Sequence, residues 1–100
     1  MALAKFGFIV SGAQLDPLQH RVIMASPAFE MIAVGVSEPT QALAVARQMV
    51  DDGVQLIELC GGFGPRWTAK VLDTIQHCIP VGSVSYGPES IDGMHALFKD

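Results

Sequence analysis

The sequence has little charge, and its few cations are not arranged for binding nucleic acid. Only 16% of its 100 residues are charged, whereas a typical globular chain carries roughly 25%. The six Lys and Arg residues stand apart from one another, and the formal net charge is −4. Proteins that bind nucleic acid concentrate cations to neutralise phosphates, so we expect no such partner. The low charge indicates a surface partly covered in a homo-oligomer; a sparsely charged monomer is the alternative.

Long hydrophobic runs are also missing, and cysteines are few. No apolar stretch approaches the roughly 20 residues that a membrane-spanning helix needs, and the run at residues 6–10 is too short for the apolar part of a signal peptide. We therefore expect a cytoplasmic protein with no membrane partner. Cys60 and Cys78 form no C-x-x-C pair and have no nearby His in a zinc pattern. In a reducing compartment both are predicted to be free thiols, and no metal site is predicted.

Apolar runs that suit strands alternate with segments of helical periodicity. Strands are predicted at residues 5–10, 30–36, 55–60 and 79–85. Pro39 and Pro65 lie near the starts of two helices, and Gly53 is a natural helix stop. Residues 16–24 predict a further short helix, because Asp16-Pro17 is typical of a helix N-terminus.

This alternation predicts one α/β domain over residues 1–100, with a four-stranded, mostly parallel sheet. The near-continuous apolar strands indicate that helices cover both faces of the sheet. The last helix is expected to direct Ile91, Met94, Leu97 and Phe98 inward. The pattern fits either an open sheet or one that curves like half of a βα barrel.

The carboxyl ends of the predicted strands carry small and turn-forming residues. Ligands of parallel α/β sheets bind at this edge, and free N–H groups at helix N-termini favour an anion there. We therefore predict a small-ligand or anion site, although short βα loops also need Gly and Ser for geometry alone. The candidate ligand-binding residues are Ser11, Ser37, Gly61, Gly62, Phe63, Gly64, Arg66, Tyr86 and Gly87.

The most informative motif is the run CGGFGP at residues 60–65, a glycine-rich turn from a strand into a helix. Its glycines at 61, 62 and 64 do not match G-x-G-x-x-G, and no Gly-Lys-Ser/Thr follows as in a P-loop. The motif thus predicts a place for a ligand and not a particular nucleotide. Arg66 would add a cation to that place, or it is simply a solvated surface residue.

Two residues of the third predicted strand are candidate catalytic groups. Glu58 lies in an apolar strand, where a carboxylate is costly unless paired or protonated, and such a group suits general acid–base work. Cys60 ends the strand before a helix N-terminus, an environment that favours a reactive thiolate. The structural alternatives are a Glu58 that pairs with a cation or backbone at a subunit contact, and a Cys60 that packs as a small hydrophobe.

A nucleophilic Cys60 would need a histidine nearby. His20 and His95 are open candidates, and each also suits a surface position. His77 is the poorest candidate, because it lies towards the end of its predicted helix that is far from the ligand edge. The sequence assigns no cofactor.

Several motifs together carry a resemblance that covers nearly the whole chain. They are His20-Arg21, Pro27-Ala28-Phe29-Glu30, Gly35-Val36, the block 53–65, Pro80-Val81-Gly82, Tyr86-Gly87 and Glu89-Ser90. In these the chain resembles a family of roughly 100-residue bacterial proteins that is known as a domain of unknown function. The resemblance implies a short intracellular bacterial protein. It brings no assigned activity, so no catalytic residue is carried over.

A shorter likeness does carry an activity. Residues 53–65 are similar to the second strand and loop of the tryptophan synthase α chain, a (βα)8 barrel enzyme. In that family the Glu of a Leu-Glu-Leu-Gly strand end acts as acid or base, and the matching residue here is Glu58 in Ile-Glu-Leu-Cys. The Pro-Phe-Ser-Asp that follows there is Gly-Phe-Gly-Pro here. The likeness implies a half-barrel-like βα arrangement and is not evidence of lyase chemistry.

Three functions therefore fit the sequence. The first is a small-ligand-binding or regulatory domain for an anionic metabolite, acting as a homo-oligomer. The second is a small lyase or isomerase that uses Glu58, with or without Cys60, at the strand ends. The third is an interaction module whose apolar surface mates with another protein.

Overall fold

The first apolar run forms the centre of the sheet. In the computed structural model, which describes residues 2–99, β1 (Lys5–Ser11) lies between β3 (Glu30–Val36) and β4 (Leu56–Leu59) and is parallel to both. Strand β5 (Val81–Ser83) is parallel to β4 at one edge. Strand β2 (Arg21–Ala25) is antiparallel to β3 at the other edge. The result is an open, mixed sheet of order β2-β3-β1-β4-β5.

Three α-helices accompany the sheet at the places that the sequence predicts. Helix α1 spans Gln41–Asp51, α2 spans Gly64–Thr74, and α3 spans Ile91–Phe98 after a single 3-10 turn. Gly53 follows α1 with a φ of +88°, a conformation that glycine adopts without strain. Pro65 lies in the first turn of α2, where its missing N–H has no partner to lose.

The prediction of four mostly parallel strands is roughly right, since the sheet adds one antiparallel strand to them. The short helix predicted at residues 16–24 is wrong, because part of this segment forms β2. The helix-start signal is real but yields one turn: Asp16 Oδ1 accepts from the N–H of Leu18 at 2.8 Å. The chain then extends, since Val22 and Ile23 are β-branched and suit a strand. A tight turn follows, in which the N–H of Ser26 donates to the carbonyl of Phe29. This hairpin sets β2 antiparallel to β3.

Helices α1 and α2 pack on the same face of the sheet. A Cβ built on Gly7 would point at Met49 of α1, so alternate residues of β1 such as Ile9 face the helices. Ile9 and Met49 belong to the buried core together with Val71 of α2 and Ile57 of β4. The prediction that helices cover both faces is therefore wrong.

The opposite side of the sheet is named the open face. It is formed by the alternate residues Phe6, Phe8 and Val10 of β1 and by the residues that pair beside them. Those are Val22 and Met24 of β2, Met31 and Ala33 of β3, and Leu56 and Glu58 of β4. None of these residues belongs to the buried core. Apolar strand residues on this face had indicated helices above them, but here they remain partly or largely exposed.

The expectation that α3 packs its apolar side chains inward is also wrong for most of them. Ile91, Leu97 and Phe98 are 62%, 76% and 75% exposed, and α3 contains no buried residue. Met94 is half-buried. The helix is only eight residues long and contains Gly93, so its own stability is low.

Gly7→Ala is expected to destabilise the fold by about 1–3 kcal/mol, the usual cost of overpacking a core. The added Cβ would lie 2.6 Å from Sδ of Met49 and 3.2 Å from Cγ1 of Val54, so these side chains, both buried in the core, would have to shift. Urea denaturation followed by circular dichroism measures the change. Gly93→Ala is the control, because its Cβ would meet nothing within 4 Å and alanine favours a helix. Equal stability of the two variants would contradict this packing.

Candidate functional site

The carboxyl ends of the four parallel strands meet at one edge of the sheet, where the candidate ligand-binding residues were expected. Strands β1, β4 and β5 end there next to one another. Backbone bonds fix the loops that follow: the N–H of Cys60 donates to the carbonyl of Ile9, and that of Val84 to the carbonyl of Leu59. The loop after β4 and the loop after β5 are therefore held side by side.

A cleft of about 660 Å³ lies at this edge, between the ends of β1 and β4 and helix α3. Backbone and small side chains form one wall, and apolar side chains of α3 form the other. The lining residues are Val10, Ser11, Cys60, Gly61, Gly62, Tyr86, Met94, Leu97 and Phe98. None of them carries a formal charge, so this cleft, named the edge cleft, has a mostly apolar wall.

Tyr86 separates the edge cleft from a second cleft of about 370 Å³, which Gly64, Gly87 and Met94 also line. The Tyr86 ring lies directly against Gly61: a Cβ at that position would be 2.9 Å from Cε2 of the ring and 3.2 Å from the carbonyl oxygen of Val84. Glycine is thus required at position 61 for this close approach. Tyr86 is itself more than half exposed.

The glycine turn, whose Gly61 and Gly62 line the edge cleft, contains backbone donors that have no acceptor within the described part of the chain. The N–H of Phe63 closes the turn on the carbonyl of Cys60 at 3.1 Å, whereas among residues 2–99 no protein acceptor pairs with the N–H of Gly61 or Gly62. Gly64 then starts α2 with a φ of +71°, which again suits glycine. The turn therefore places two free donors next to the positive end of the α2 dipole.

Three of the candidate ligand-binding residues line neither cleft. The N–H groups of Ser37 and Glu38 donate to Oε1 of Gln41 at 2.9 and 3.1 Å, so a side chain of α1 already occupies that loop. Phe63 is buried in the core. Arg66 is exposed in the first turn of α2 and makes no ion pair within the described part of the chain.

The two candidate catalytic residues lie in different places. Cys60 is a free, half-buried thiol that lines the edge cleft, and its Sγ accepts from the N–H of Ser11 at 3.2 Å. Glu58 is exposed on the open face, in a shallow depression with Gly82, Ser83 and Val84. The two side chains share a face of β4, but Glu58 lines neither cleft.

No histidine lines either cleft. Nδ1 of His20 accepts from the N–H of Asp16 at 2.8 Å, and Nε2 of His77 lies 3.1 Å from Oδ1 of Asp73. His95 is exposed on α3. In residues 2–99, no group of three or more His, Cys, Asp or Glu side chains is placed to hold a metal ion.

Sequence reasoning missed the apolar wall of the edge cleft. Val10 was assigned to a buried strand, and Met94, Leu97 and Phe98 to a helix that faces the core. The sequence carries no signal for this difference: Ile91, Met94, Leu97 and Phe98 form a single stripe on α3, which is the pattern of a helix that packs on a sheet.

The fold and the cleft define an α/β domain with an open mixed sheet and a largely apolar cleft at its carboxyl edge. The sequence of this domain matches the model of a family of unknown function, DUF6506, over residues 4–99. The chain belongs to this family. Neither a curated protein nor a solved structure shows significant similarity to it. No helix within residues 2–99 is long and apolar enough to span a membrane.

Gln41→Ala is expected to lower the free energy of unfolding by about 0.5–1.5 kcal/mol, because the N–H groups of Ser37 and Glu38 lose their acceptor. Thermal and urea unfolding measure the effect. Gln48→Ala is the matched control on the same helix, since Gln48 bonds only the exposed Asp52 side chain. A Gln41 variant no less stable than the Gln48 variant would show that this side chain does not cap the loop.

Proposed function

We propose that this protein is a small-molecule-binding domain that acts as a homo-oligomer in the cytoplasm. Its ligand is a small metabolite with one anionic group and an apolar body. The observation that carries the proposal is the edge cleft, whose lining includes an apolar wall of α3 and also Gly61 and Gly62, two residues with N–H groups that are unpaired within residues 2–99. Ligand sites in proteins combine an apolar lining with a few convergent polar groups in this way.

The apolar wall supports the choice of ligand body. Val10, Met94 and Leu97 present aliphatic and thioether groups to the cleft, and no charged side chain lies among its lining residues. Each methylene that a ligand buries there contributes about 0.8 kcal/mol. A fully polar anion such as inorganic phosphate would lose part of its hydration against this wall and would gain few hydrogen bonds to replace it.

The glycine turn supports the anionic group. Two N–H donors and the start of α2 offer partial positive charge to one carboxylate or phosphate ester. Since no Lys or Arg lines the cleft, a single negative charge is better matched than several. Glu58 lies outside the cleft, which favours binding over the acid–base catalysis that the second hypothesis assigned to it.

The test compares the melting temperature of the protein with acetate, butyrate, hexanoate and inorganic phosphate at equal concentration and ionic strength. Hexanoate is expected to raise the melting temperature most, because each added buried methylene improves affinity roughly fourfold. Phosphate is expected to act no more strongly than acetate. A series without dependence on chain length, or no shift with any probe, would contradict the proposal.

A pair of variants localises the binding. Met94→Asp places a carboxylate in the edge cleft, so repulsion and lost apolar contact should abolish the hexanoate shift. His95→Asp adds the same side chain one residue further along α3, at an exposed position that lines neither cleft, and should retain the shift. An unchanged shift in Met94→Asp would place the binding elsewhere.

A further inference from the structure

We propose that the open face is the interface of a homodimer, in which the open face of a second copy packs against it. The inference rests on the homo-oligomeric part of the proposed function and does not depend on the ligand. It begins from an imbalance in the sheet. One side is covered by α1 and α2, while Phe6 and Phe8 of the central strand lie on the other side with no helix over them.

The chemistry of the open face is that of a permanent contact between protein subunits. Its strand residues carry aromatic, aliphatic and thioether groups, and Glu58 is the one charged side chain among them. At the edge strand, Val22 and Met24 are 63% and 66% exposed. Residues on the solvent-facing side of an antiparallel pair are normally polar, and edge strands normally carry charge that blocks association. Neither device is present on this face.

The accessible surface of the single chain is larger than that of a compact monomer of the same mass. The accessible surface is 6578 Å², whereas a compact monomer of 10.7 kDa exposes about 5,500 Å². The exposed helix α3 and the open face both contribute to this excess of about 1,000 Å², which is comparable with the roughly 800 Å² that each partner contributes to a standard interface. The radius of gyration, 14.1 Å, likewise exceeds the roughly 13 Å of a compact chain of this length.

A second copy is the occupant that the charge pattern favours. A nucleic acid or an anionic membrane would need a cluster of cations, whereas the named residues of the open face include none. Within the described part of the chain, Arg21 is the single Lys or Arg that lines the depression beside Val10. A nearly uncharged face is complementary to itself, which a two-fold interface requires because the same patch meets its own copy. Phe8 lies on the central strand of this patch, and Glu58 pairs beside it on β4. The Glu58 side chain is exposed and has only Gly82 as its neighbour on β5, so its carboxylate has access to water.

The edge cleft borders the same side of the sheet, since Val10 belongs both to its lining and to the open face. The exposed Leu97 and Phe98 of α3 stand beside the open face there. A second copy that covers the open face therefore borders the mouth of the cleft and shields part of α3 from water.

The experiment is sedimentation velocity on the full chain over a range of concentrations. The wild-type protein is expected to sediment at twice its 10.7 kDa chain mass. Phe8→Glu should weaken dimerisation roughly a hundredfold or more, as buried interface anchors do, and each dimer carries the change twice. Ala44→Glu adds the same charge at an exposed position of α1 on the covered side and should leave the dimer intact.

A second variant guards against misfolding of Phe8→Glu. Met24→Lys changes a side chain that is already largely exposed in the single chain, so the monomer should fold, as circular dichroism would show, and yet dimerise more weakly. A wild-type protein that stays monomeric at all concentrations would overturn both this inference and the homo-oligomer of the proposed function. A dimer that survives both open-face variants would overturn this inference alone, and capture of a different protein by a wild-type monomer would assign the face to a hetero-partner.

Discussion

The handedness of strand crossovers is the constraint on which this structure depends. The chain passes from β3 to β4 across β1 and then from β4 to β5, so both steps run in the same direction along the sheet. Parallel crossovers are right-handed in nearly all proteins, and two steps in one direction therefore place α1 and α2 on one face. A helix on the other face would have required a helical crossover in the opposite direction, from β1 to β3.

The segment that makes that opposite step is the one that sequence reasoning assigned wrongly. A helix at residues 16–24 would have covered the other face and hidden Phe6 and Phe8. The chain instead forms β2 and returns along β3 as a hairpin, which joins two parallel strands without crossing the face. The local signals were balanced: Asp16-Pro17 favours a helix start, and Val22-Ile23 favours a strand. The hydrogen bonds that β3 offers along its free edge decide in favour of the strand, and no local pattern contains them.

Much of the remaining fold could be predicted, because the signals for it are local. Pro65 and Gly53 bound helices at the expected places, and the apolar runs around Ile9, Val34 and Ile57 form strands with residues in the core. The strand order is not local. It follows from which edges pair, and thus the position of β1 at the centre of the sheet had no signature in the sequence. The burial of an apolar strand residue likewise depends on what packs over each face of the sheet. Phe8 and Ile9 are both apolar residues of one strand, yet they lie on opposite faces.

The candidate site follows the same division between local and distant causes. The turn at Gly61 and Gly62 could be located, since a glycine run after a strand lies at the carboxyl edge of any parallel sheet. The role of Ser37 could not, because it depends on the side chain of Gln41 turning back to accept its N–H. The closeness of Tyr86 to Gly61 is a contact between neighbouring loops. The apolar side chains of α3 remain available to line the cleft because this helix does not pack into the core.

The open face and the edge cleft are consequences of one arrangement, and this links the proposed ligand binding to the proposed dimer. The cleft lies beside the open face because α3 is placed near the carboxyl end of β1 on that side, and not on the side that α1 and α2 cover. A ligand that orders α3 against Val10 also fixes Leu97 and Phe98, which stand beside the dimer surface. If the dimer uses those side chains in one orientation, ligand and second copy stabilise the same conformation of α3. Linkage then requires each to raise the affinity of the other by the same factor.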